Sequence, residues 1–154
     1  MAEKGGSHAL ATNRRAFSSF NVLERHEAGV CLLGSEVKSI RAGGLDFRDA
    51  WVDHRAGELF VVGLRIAPYS HANTQNHSEN RDRKLLLHRR EIDRLAGKVS
   101  ERGLTIIPLK AYFKNGKVKL EIGLGRGRKV HDAREKIRRR EMDRETEQEL
   151  RRRR

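Results

Sequence analysis

Residues 103–122, GLTIIPLKAYFKNGKVKLEI, carry the strongest hairpin signal in the chain. A run rich in β-forming residues spans positions 104–113, and a second run, 118–122, alternates between apolar and polar residues. Between them stands Asn115-Gly116, a pair that readily adopts the two positive φ angles of a tight hairpin turn. The segment therefore predicts two antiparallel strands joined by a two-residue turn, with one face on the core.

Further strands are predicted on the N-terminal side of this hairpin. Residues 20–23 and 27–33 have strand character, and the runs at 50–52 and 59–62 flank the segment Arg55-Ala56-Gly57-Glu58. Two short apolar runs on either side of a glycine-containing turn indicate a second hairpin.

Helices are predicted between these strands. Residues 34–41 form a short helix that Ser35 would cap and Gly43 would stop. The clearest helix covers Lys84–Leu95, because apolar residues recur there near helical spacing, and Gly97 lies past its end. This mixture fits a small β-barrel with helices at its ends, although an open α+β sandwich would give a similar pattern.

The charge of the chain indicates a polyanionic partner. Lys and Arg number 34 against 21 Asp and Glu, a formal net charge of +13. Such a surplus attracts nucleic acid, an anionic membrane surface or an acidic protein. A single cysteine, Cys31, excludes an intramolecular disulfide, and no apolar run is long enough to span a membrane. We therefore expect a cytoplasmic protein without a membrane partner. Cys31 has apolar neighbours on both sides in the sequence, so we expect a buried thiol.

Composition divides the chain into a flexible N-terminal arm (1–12), a folded domain (13–124) and a basic tail (125–154). Gly123, Gly125 and Gly127 suggest a flexible hinge before the tail. The tail has few apolar residues to bury, but Asp132 followed by Glu135 resembles a capping box. We expect the tail to be disordered when free and helical once RNA neutralises its charge.

Several motifs occur in an order that matches a known family. They are Glu27-Ala28-Gly29, the GSEVKSIR of residues 34–41, the RKLLL of 83–87, the GLTIIPL of 103–109 with its Asn115-Gly116 turn, and the GRKVHDAR of 127–134. Each motif alone is weak, but the ordered set, which spans residues 13–140, is specific. On these motifs the chain resembles the small protein B (SmpB) family, which binds SsrA, the transfer-messenger RNA.

The resemblance implies a mostly β fold, an oligonucleotide-binding-type β-barrel with two or three flanking helices and a C-terminal basic tail. It also implies a function in trans-translation. Residues 13–124 would bind the tRNA-like domain of transfer-messenger RNA and deliver that RNA to ribosomes stalled on truncated messages. The tail, helical when bound to the ribosome, would probe the empty mRNA channel and the decoding centre. No enzyme activity, cofactor or metal is implied.

The implied partners are transfer-messenger RNA and the ribosome, through its small-subunit RNA and mRNA channel. Elongation factor Tu and alanyl-tRNA synthetase would act on the same RNA, and the chain would be a monomer. Two positions depart from the family pattern, because Ala133 stands where the junction motif has lysine and Trp51 stands where tyrosine is common.

The candidate site residues fall into two groups. Those expected to bind RNA are Asn13, Glu27, Lys38, Trp51, Arg81, Arg83, Lys84, Leu86, Lys119 and Gly127. Those expected to contact the decoding centre are Lys129, His131, Asp132, Arg134, Lys136 and Arg138.

Residue chemistry supports these assignments but leaves alternatives open. Arg83 and Lys84, at the start of the predicted helix, would hold phosphate, or they form an ordinary solvated basic face. Trp51, with Tyr69, Tyr112 and Phe113 as further candidates, would stack on a base, or it packs in the core. His131 would stack and donate a hydrogen bond, or it is an exposed linker histidine.

Two other functions remain open from the sequence. One is a general basic RNA-binding or ribosome-associated protein whose tail only adds electrostatic affinity. The other is an RNA-cleaving enzyme that uses His26, His54 or His88, although nothing in the sequence orders these histidines.

Overall fold

The structure, a computed structural model, describes residues 9–71, 76–128 and 130–153, and for residues 130–137 it describes the backbone alone. The strands in this part of the chain are β1 (Ala9–Thr12), β2 (Phe20–Val30), β3 (Leu45–Asp46), β4 (Trp51–Arg55), β5 (Glu58–Val62), β6 (Arg65–Ile66), β7 (Arg83–Leu86), β8 (Thr105–Lys114) and β9 (Lys117–Gly127). The helices are α1 (Arg14–Ser19), α2 (Gly34–Arg41), α3 (Arg89–Arg102) and α4 (Val130–Arg152).

Six of these strands close into a barrel. They pair in the order β8-β4-β5-β7-β2-β9, and β9 pairs with β8 again, so the sheet joins back on itself. Each of these pairings is antiparallel. β1 pairs with the second half of β8, on residues 110–112. The expected mostly β barrel with flanking helices is confirmed.

Both predicted hairpins are confirmed. β8 and β9 pair along their length around Asn115 (φ 51°) and Gly116 (φ 73°), the two positive angles that the Asn-Gly pair predicts. β4 and β5 join in the same way through Ala56 (φ 48°) and Gly57 (φ 77°). These turns fix the register of the strands, and therefore which side chains face outward.

Apolar residues fill the barrel and the spaces under the helices. The interior cluster takes buried side chains from every strand of the ring, among them Ala28, Val52, Leu59, Leu85, Ile106 and Leu120. Two residues of α3, Ile92 and Leu95, belong to this cluster, whereas Ile40 of α2 belongs to a second one. α1 packs on the outside of β8, with Ala16 buried in a third cluster.

The predicted helix over Lys84–Leu95 is wrong in its first part. Arg83–Leu86 is strand β7, and α3 begins only at Arg89. Consecutive leucines are compatible with the periodicity of a helix or of a strand. Here they alternate as in a strand, with Leu85 buried and Leu86 exposed. Gly97 lies inside α3, which ends instead at Gly103 in the left-handed conformation (φ 62°).

The segment before α2 also differs from the prediction. The two predicted strands at 20–23 and 27–33 form one strand, β2, which ends at Val30, and its polar middle, residues 24–27, alternates between half-buried and exposed positions. α2 begins at Gly34, and the Glu36 carboxylate accepts a hydrogen bond from the Leu33 N–H at 2.8 Å. Ser35 is not the cap, because its hydroxyl contacts His77 Nδ1 at 2.9 Å. Cys31 is exposed rather than buried.

The two ends of the folded domain extend past their predicted limits. Residues 9–12, placed in the flexible arm, form β1, and the rest of that arm lies outside the described residues. The glycine hinge is wrong for Gly123 and Gly125, which are buried within β9. A β-carbon on Gly123 would lie 2.8 Å from Cδ1 of the buried Leu109, so any larger residue there would have to displace this leucine. α4 follows directly, and no helix in the described chain is long and apolar enough to cross a membrane.

Candidate nucleic-acid interface

One exterior face of the barrel gathers residues from four neighbouring strands. Tyr112 on β8 lies opposite Lys119 on β9, Lys119 lies opposite Gly29 on β2, and Gly29 lies opposite Leu86 on β7. Directly opposite residues of antiparallel strands point to the same side of a sheet. The next register positions add Lys110, Glu121 and Glu27. We call this surface the lysine face, with residues Glu27, Gly29, Leu86, Lys110, Tyr112, Lys114, Lys117, Lys119 and Glu121.

Glu27 lies at the centre of a hydrogen-bond network on this face. Its carboxylate accepts a short hydrogen bond from the Tyr112 hydroxyl, and Lys114 Nζ donates to it at 3.2 and 3.3 Å. The hydrogen bond from Tyr112 lowers the pKa of Glu27, which burial partly opposes. Burial raises the pKa of Tyr112, and the neighbouring carboxylate raises it further. Glu27 therefore remains charged, and it lies within strand β2.

The lysines of this face outnumber its carboxylates by four to two, and each carboxylate contacts one lysine. Lys114 and Lys117 lie directly opposite each other. Like charges in directly opposite positions destabilise a sheet when no anion is bound between them. Lys110 contacts Glu121 at 3.4 Å and lies 5.8 Å above the Tyr112 ring. A polar depression of about 400 Å³ opens among these residues, lined in part by Arg25. Phosphate groups would relieve the repulsion between the lysines.

Leu86 forms the apolar part of the lysine face. Its side chain is 51% exposed although it is a large aliphatic residue. It packs over Gly29, where a β-carbon would lie 3.2 Å from Leu86 Cβ. Lys84, two residues earlier on β7, lies opposite Phe60 and is 3.8 Å from Glu58. The structure thus brings together three of the predicted RNA-binding residues on the lysine face, Glu27, Leu86 and Lys119, and a fourth, Lys84, lies next to this face on β7.

Arg83 is not available to RNA, so this assignment is wrong. The residue is fully buried and forms an ion pair with Glu36, which is also fully buried. Its Nη1 donates to the carbonyl oxygens of Leu64 and Arg81, at 2.8 and 2.9 Å. Arg81 keeps 35% of its side chain exposed and donates from Nη2 to Glu36 at 2.6 Å. Of this pair, only Arg81 presents a guanidinium to solvent.

The buried carboxylate of Glu36 holds this region of the fold together. Burial raises the pKa of Glu36, but hydrogen bonds from the Leu33 N–H and from the two arginines outweigh it, so the pKa lies below its ordinary value. The carboxylate links α2 to β7, elements that are 47 residues apart at the Glu36–Arg83 contact. Glu36 was absent from the predicted site.

Asn13 also has a structural role in place of the predicted RNA contact. Its Oδ1 accepts the Ala16 N–H at 3.2 Å and caps α1, and its Nδ2 donates to the Pro108 carbonyl oxygen at 2.8 Å. Only 6% of the residue is exposed, and both polar atoms of its side chain are hydrogen-bonded within the fold. The prediction of a direct RNA contact by Asn13 is therefore wrong.

Trp51 faces outward, which rules out the core alternative. Its side chain is 42% exposed beside a groove of about 230 Å³ between α1, β4 and the start of β8. Gly127, opposite Phe20 in β2, lies at the end of β9 where this groove opens. We call this site the Trp51 groove; the residues that line it are Asn13, Arg15, Ala16, Ser19, Phe20, Arg48, Asp49, Ala50, Trp51, Thr105 and Ile107.

The other aromatic candidates are engaged within the fold. Tyr112 is only 8% exposed, which is too little for a base to stack on it. Phe113 packs against the α2 cluster with the Arg41 guanidinium 5.3 Å from its ring centre. Lys38, a predicted RNA contact, is exposed on α2 and has its ammonium 5.7 Å from the ring centre of Tyr69. Lys38 lies on neither the lysine face nor the Trp51 groove.

The predicted decoding-centre contacts lie at the start of α4. Lys129 is outside the described residues, and His131, Asp132, Arg134 and Lys136 are described only as helical backbone. Arg138 is exposed, as are all the described side chains that follow it up to residue 153. Among the described residues, no group of three His, Cys, Asp or Glu is placed to hold a metal ion.

Sequence reasoning missed several residues of both surfaces. Lys110 and Lys114 flank Glu27, and Gly29 makes room for Leu86. The Asn115-Gly116 turn could have predicted part of this, because a two-residue turn places Lys114 opposite Lys117 and Tyr112 opposite Lys119. Arg15 gave no signal in the sequence, since its place at the groove depends on a non-local contact with Asp49.

Comparison with known proteins gives one consistent result. The family model described as SmpB protein matches residues 10–152. The SsrA-binding protein of Nitratidesulfovibrio vulgaris is 52% identical over 151 residues, 97% of this chain and 98% of the relative. That of Persephonella marina is 51% identical over 140 residues, 91% of this chain and 92% of the relative.

A solved structure is also similar. A chain described as "tmRNA-SmpB: a journey to the center of the bacterial ribosome" matches with a TM-score of 0.66 and 47% sequence identity. The match covers 78% of this chain and 85% of that one.

Proposed function

Because this chain belongs to the SmpB family, we propose that it binds the tRNA-like domain of transfer-messenger RNA and brings it to stalled ribosomes. The lysine face is the structural observation that carries this proposal. The similar proteins are SsrA-binding proteins, and the similar structure concerns tmRNA-SmpB and the bacterial ribosome. The proposed role is therefore trans-translation, with RNA binding and no catalytic step.

The lysine face has the mixture of groups that a folded RNA requires. Lys114, Lys117 and Lys119 supply mobile cations for phosphates. Leu86 offers an apolar surface beside the bare backbone of Gly29, which suits a sugar or an unstacked base. The charged carboxylate of Glu27 can accept a hydrogen bond from a 2′-hydroxyl or a base amino group. A purely electrostatic surface would need neither the leucine nor the carboxylate.

The tail has the properties of a segment that works on a surface other than its own barrel. Every described side chain of residues 138–153 is exposed, including Met142 (66%) and Leu150 (63%). In our proposal this helix enters the mRNA channel of the small subunit, and residues 129–138 contact the decoding centre. Elongation factor Tu and alanyl-tRNA synthetase would act on the same RNA in the cytoplasm, while the chain itself works as a monomer.

Affinity for a fragment of transfer-messenger RNA that contains the tRNA-like domain tests the lysine face. Replacing one phosphate contact should lower the slope of log affinity against log salt by about one. We expect this for Lys119→Met, and not for Arg90→Met, which removes a charge from the exposed surface of α3. Equal slopes for the two variants would contradict the proposed face.

Sequencing the RNA that crosslinks to the chain in cells tests the function itself. We expect one structured RNA with a tRNA-like end to dominate. Bulk ribosomal RNA without that species would instead support the alternative, a general basic RNA-binding or ribosome-associated protein.

A further inference from the structure

The Trp51 groove shares no residue with the lysine face and has a different character. Its floor is apolar and buried, with Ala16, Ala50 and Ile107 each 7% exposed or less. Its wall is the 42% exposed side chain of Trp51, the only tryptophan of the chain. The groove therefore offers an aromatic surface beside an apolar floor, and both are open to solvent.

We propose that the Trp51 groove binds one unpaired base of small-subunit ribosomal RNA, stacked on Trp51, while neighbouring arginines hold the adjoining phosphates. The choice of this RNA rests on the function proposed above. At about 230 Å³ the groove is smaller than the ~300–1,000 Å³ of pockets that take drug-sized ligands. A single planar ring system is therefore the size of ligand that it suits.

The charge around the groove favours nucleic acid over an apolar protein segment. Arg15 and Arg48 line it, with 72% and 59% of their side chains exposed. Each has an aspartate partner, Asp49 at 2.6 Å and Asp46 at 3.1 Å. Ion pairs this exposed add little to stability, so either guanidinium can turn a free N–H group to a phosphate. Exposed arginines at 14, 126 and 128 leave the surroundings strongly positive.

The position of the groove relative to the tail favours ribosomal RNA over transfer-messenger RNA. Phe20, in the groove, lies opposite Gly127, and the Arg128 N–H donates to the Ser19 carbonyl oxygen at 2.8 Å. α4 starts two residues later, at Val130. The groove therefore lies close to the start of the tail, within reach of an RNA bound there, whereas the lysine face is built from other strand positions.

Tryptophan fluorescence tests base stacking directly, because Trp51 is the sole tryptophan and reports on this groove alone. The probes are single-stranded hexaadenylate RNA and an abasic hexamer with the same sugar-phosphate backbone. We expect saturable quenching by hexaadenylate and little by the abasic strand. Arg15→Ala should weaken hexaadenylate binding, and Arg90→Ala, on the exposed surface of α3, should not. Absent quenching, or equal quenching by both strands, would overturn the proposal.

Substituting Trp51 tests the contribution of the ring to the same binding. Stacking on one aromatic side chain changes affinity by roughly 5- to 150-fold. We expect Trp51→Ala to lose hexaadenylate affinity within this range and Trp51→Phe to keep most of it, with binding followed by fluorescence anisotropy of a labelled strand. A Trp51→Ala variant with unchanged affinity would contradict stacking.

Photocrosslinking identifies which RNA occupies the groove in the full complex. Benzoylphenylalanine replaces Trp51 in one variant and Leu86 in another, each assembled with transfer-messenger RNA and stalled ribosomes. We expect crosslinks from position 51 to small-subunit RNA and from position 86 to transfer-messenger RNA. Crosslinks from position 51 to transfer-messenger RNA or to a ribosomal protein would overturn the inference. If only position 86 fails to crosslink to transfer-messenger RNA, that result counts against the proposed function. The fluorescence test of stacking on Trp51 does not depend on the proposed function.

Discussion

Leu86 packs directly over Gly29 across the β2–β7 pairing, and a β-carbon at position 29 would lie 3.2 Å from Leu86 Cβ and 3.5 Å from its Cδ1. Leu86 is half exposed, but its Cβ is fixed to the backbone of β7, so a side chain at position 29 must move this part of β7 together with the leucine. The glycine therefore sets where the leucine lies on the lysine face.

Gly29→Val should displace Leu86 and weaken RNA binding without unfolding the protein. Half of a leucine's burial energy, about 0.75–1.5 kcal/mol, corresponds to roughly a 4- to 13-fold loss of affinity. Filter binding with the tRNA-like domain at fixed salt measures it, together with the melting temperature. Gly34→Ala is the matched control, since nothing lies within 4 Å of a β-carbon at that position. A large drop in melting temperature for Gly29→Val, with affinity unchanged, would show that the glycine is structural only.

Arg83→Met should destabilise the fold by about 3–5 kcal/mol, because it breaks an ion pair in which both side chains are fully buried and removes one of the two guanidinium groups that contact the Glu36 carboxylate. The double variant Glu36→Gln/Arg83→Met removes both charges, so we expect it to be more stable than Arg83→Met alone. Urea unfolding at pH 7 measures both. Lys84→Met, at the exposed neighbouring position of β7, should change stability by less than about 0.5 kcal/mol. A stable Arg83→Met protein that no longer binds RNA would restore Arg83 as a contact.

Glu24 should make stability depend on pH in the acid range. Hydrogen bonds from Lys98 and His26 lower the pKa of Glu24 from 4.5 to about 2; burial opposes this, and the charge of Arg94 adds to it. A carboxylate with a lowered pKa stabilises the folded state above its unfolded pKa, and that contribution is lost as the pH falls from about 4.5 towards 2. The stability difference between the wild type and Glu24→Gln should therefore be largest above pH 4.5 and vanish near pH 2.

Urea unfolding at several pH values measures this difference. Glu101→Gln, which removes an exposed carboxylate of α3, is the control and should show a nearly constant difference. A Glu24→Gln curve that parallels the wild type down to pH 2 would mean that the link between β2 and α3 does not stabilise the charged form.

The local parts of this fold could be predicted from the sequence, and the non-local parts could not. An Asn-Gly turn fixes its own hairpin, so β8, β9 and the lysines beside the turn follow from residues 103–122. The burial of Arg83 has no such local signal, because it depends on Glu36 of α2, 47 residues away. The leucine run after Arg83 fits a helix and a strand equally well, and only the pairing of β7 with β5 and β2 decides between them.

The difference between local and non-local contacts also explains why some of the predicted site residues meet on one face and others do not. Glu27, Leu86 and Lys119 lie in strands, where alternate residues point to the same side of the sheet. The register of these strands brings the three residues together on one face. Asn13 looked similar in the sequence, but its side chain caps α1 and bonds to Pro108, far along the chain. Polar residues near a motif can thus stabilise the fold that presents the site without touching the ligand.

His131→Ala should separate the work of the tail from that of the barrel. Position 131 lies in the first turn of α4, beyond the strands that form the lysine face. We therefore expect unchanged affinity for transfer-messenger RNA and weaker peptide tagging on stalled ribosomes. A reconstituted tagging assay and filter binding measure the two activities. His54→Ala, at an exposed position of β4, is the control for loss of a histidine. Equal losses of binding and tagging would contradict the proposal that the barrel binds transfer-messenger RNA and the tail acts on the ribosome.

α4 should exchange its amide hydrogens quickly in the free protein and slowly on the ribosome. The described side chains of the helix, residues 138–153, are all exposed, so packing adds little to its stability there. Glu141, Glu145 and Glu149 follow each other at four-residue spacing, where like charges repel, while Glu149 and Arg153 form one favourable pair at 3.3 Å. The balance is marginal for a free helix.

Hydrogen exchange followed by mass spectrometry can compare the free protein with its ribosome complex, peptide by peptide. Peptides from 138–152 should gain protection on binding, and peptides from β8, already within the barrel sheet, should be protected in both states. Strong protection of 138–152 in the free protein would show that α4 is stable by itself. In that case the tail would enter the message channel as a preformed rod, and RNA charge would not be needed to fold it.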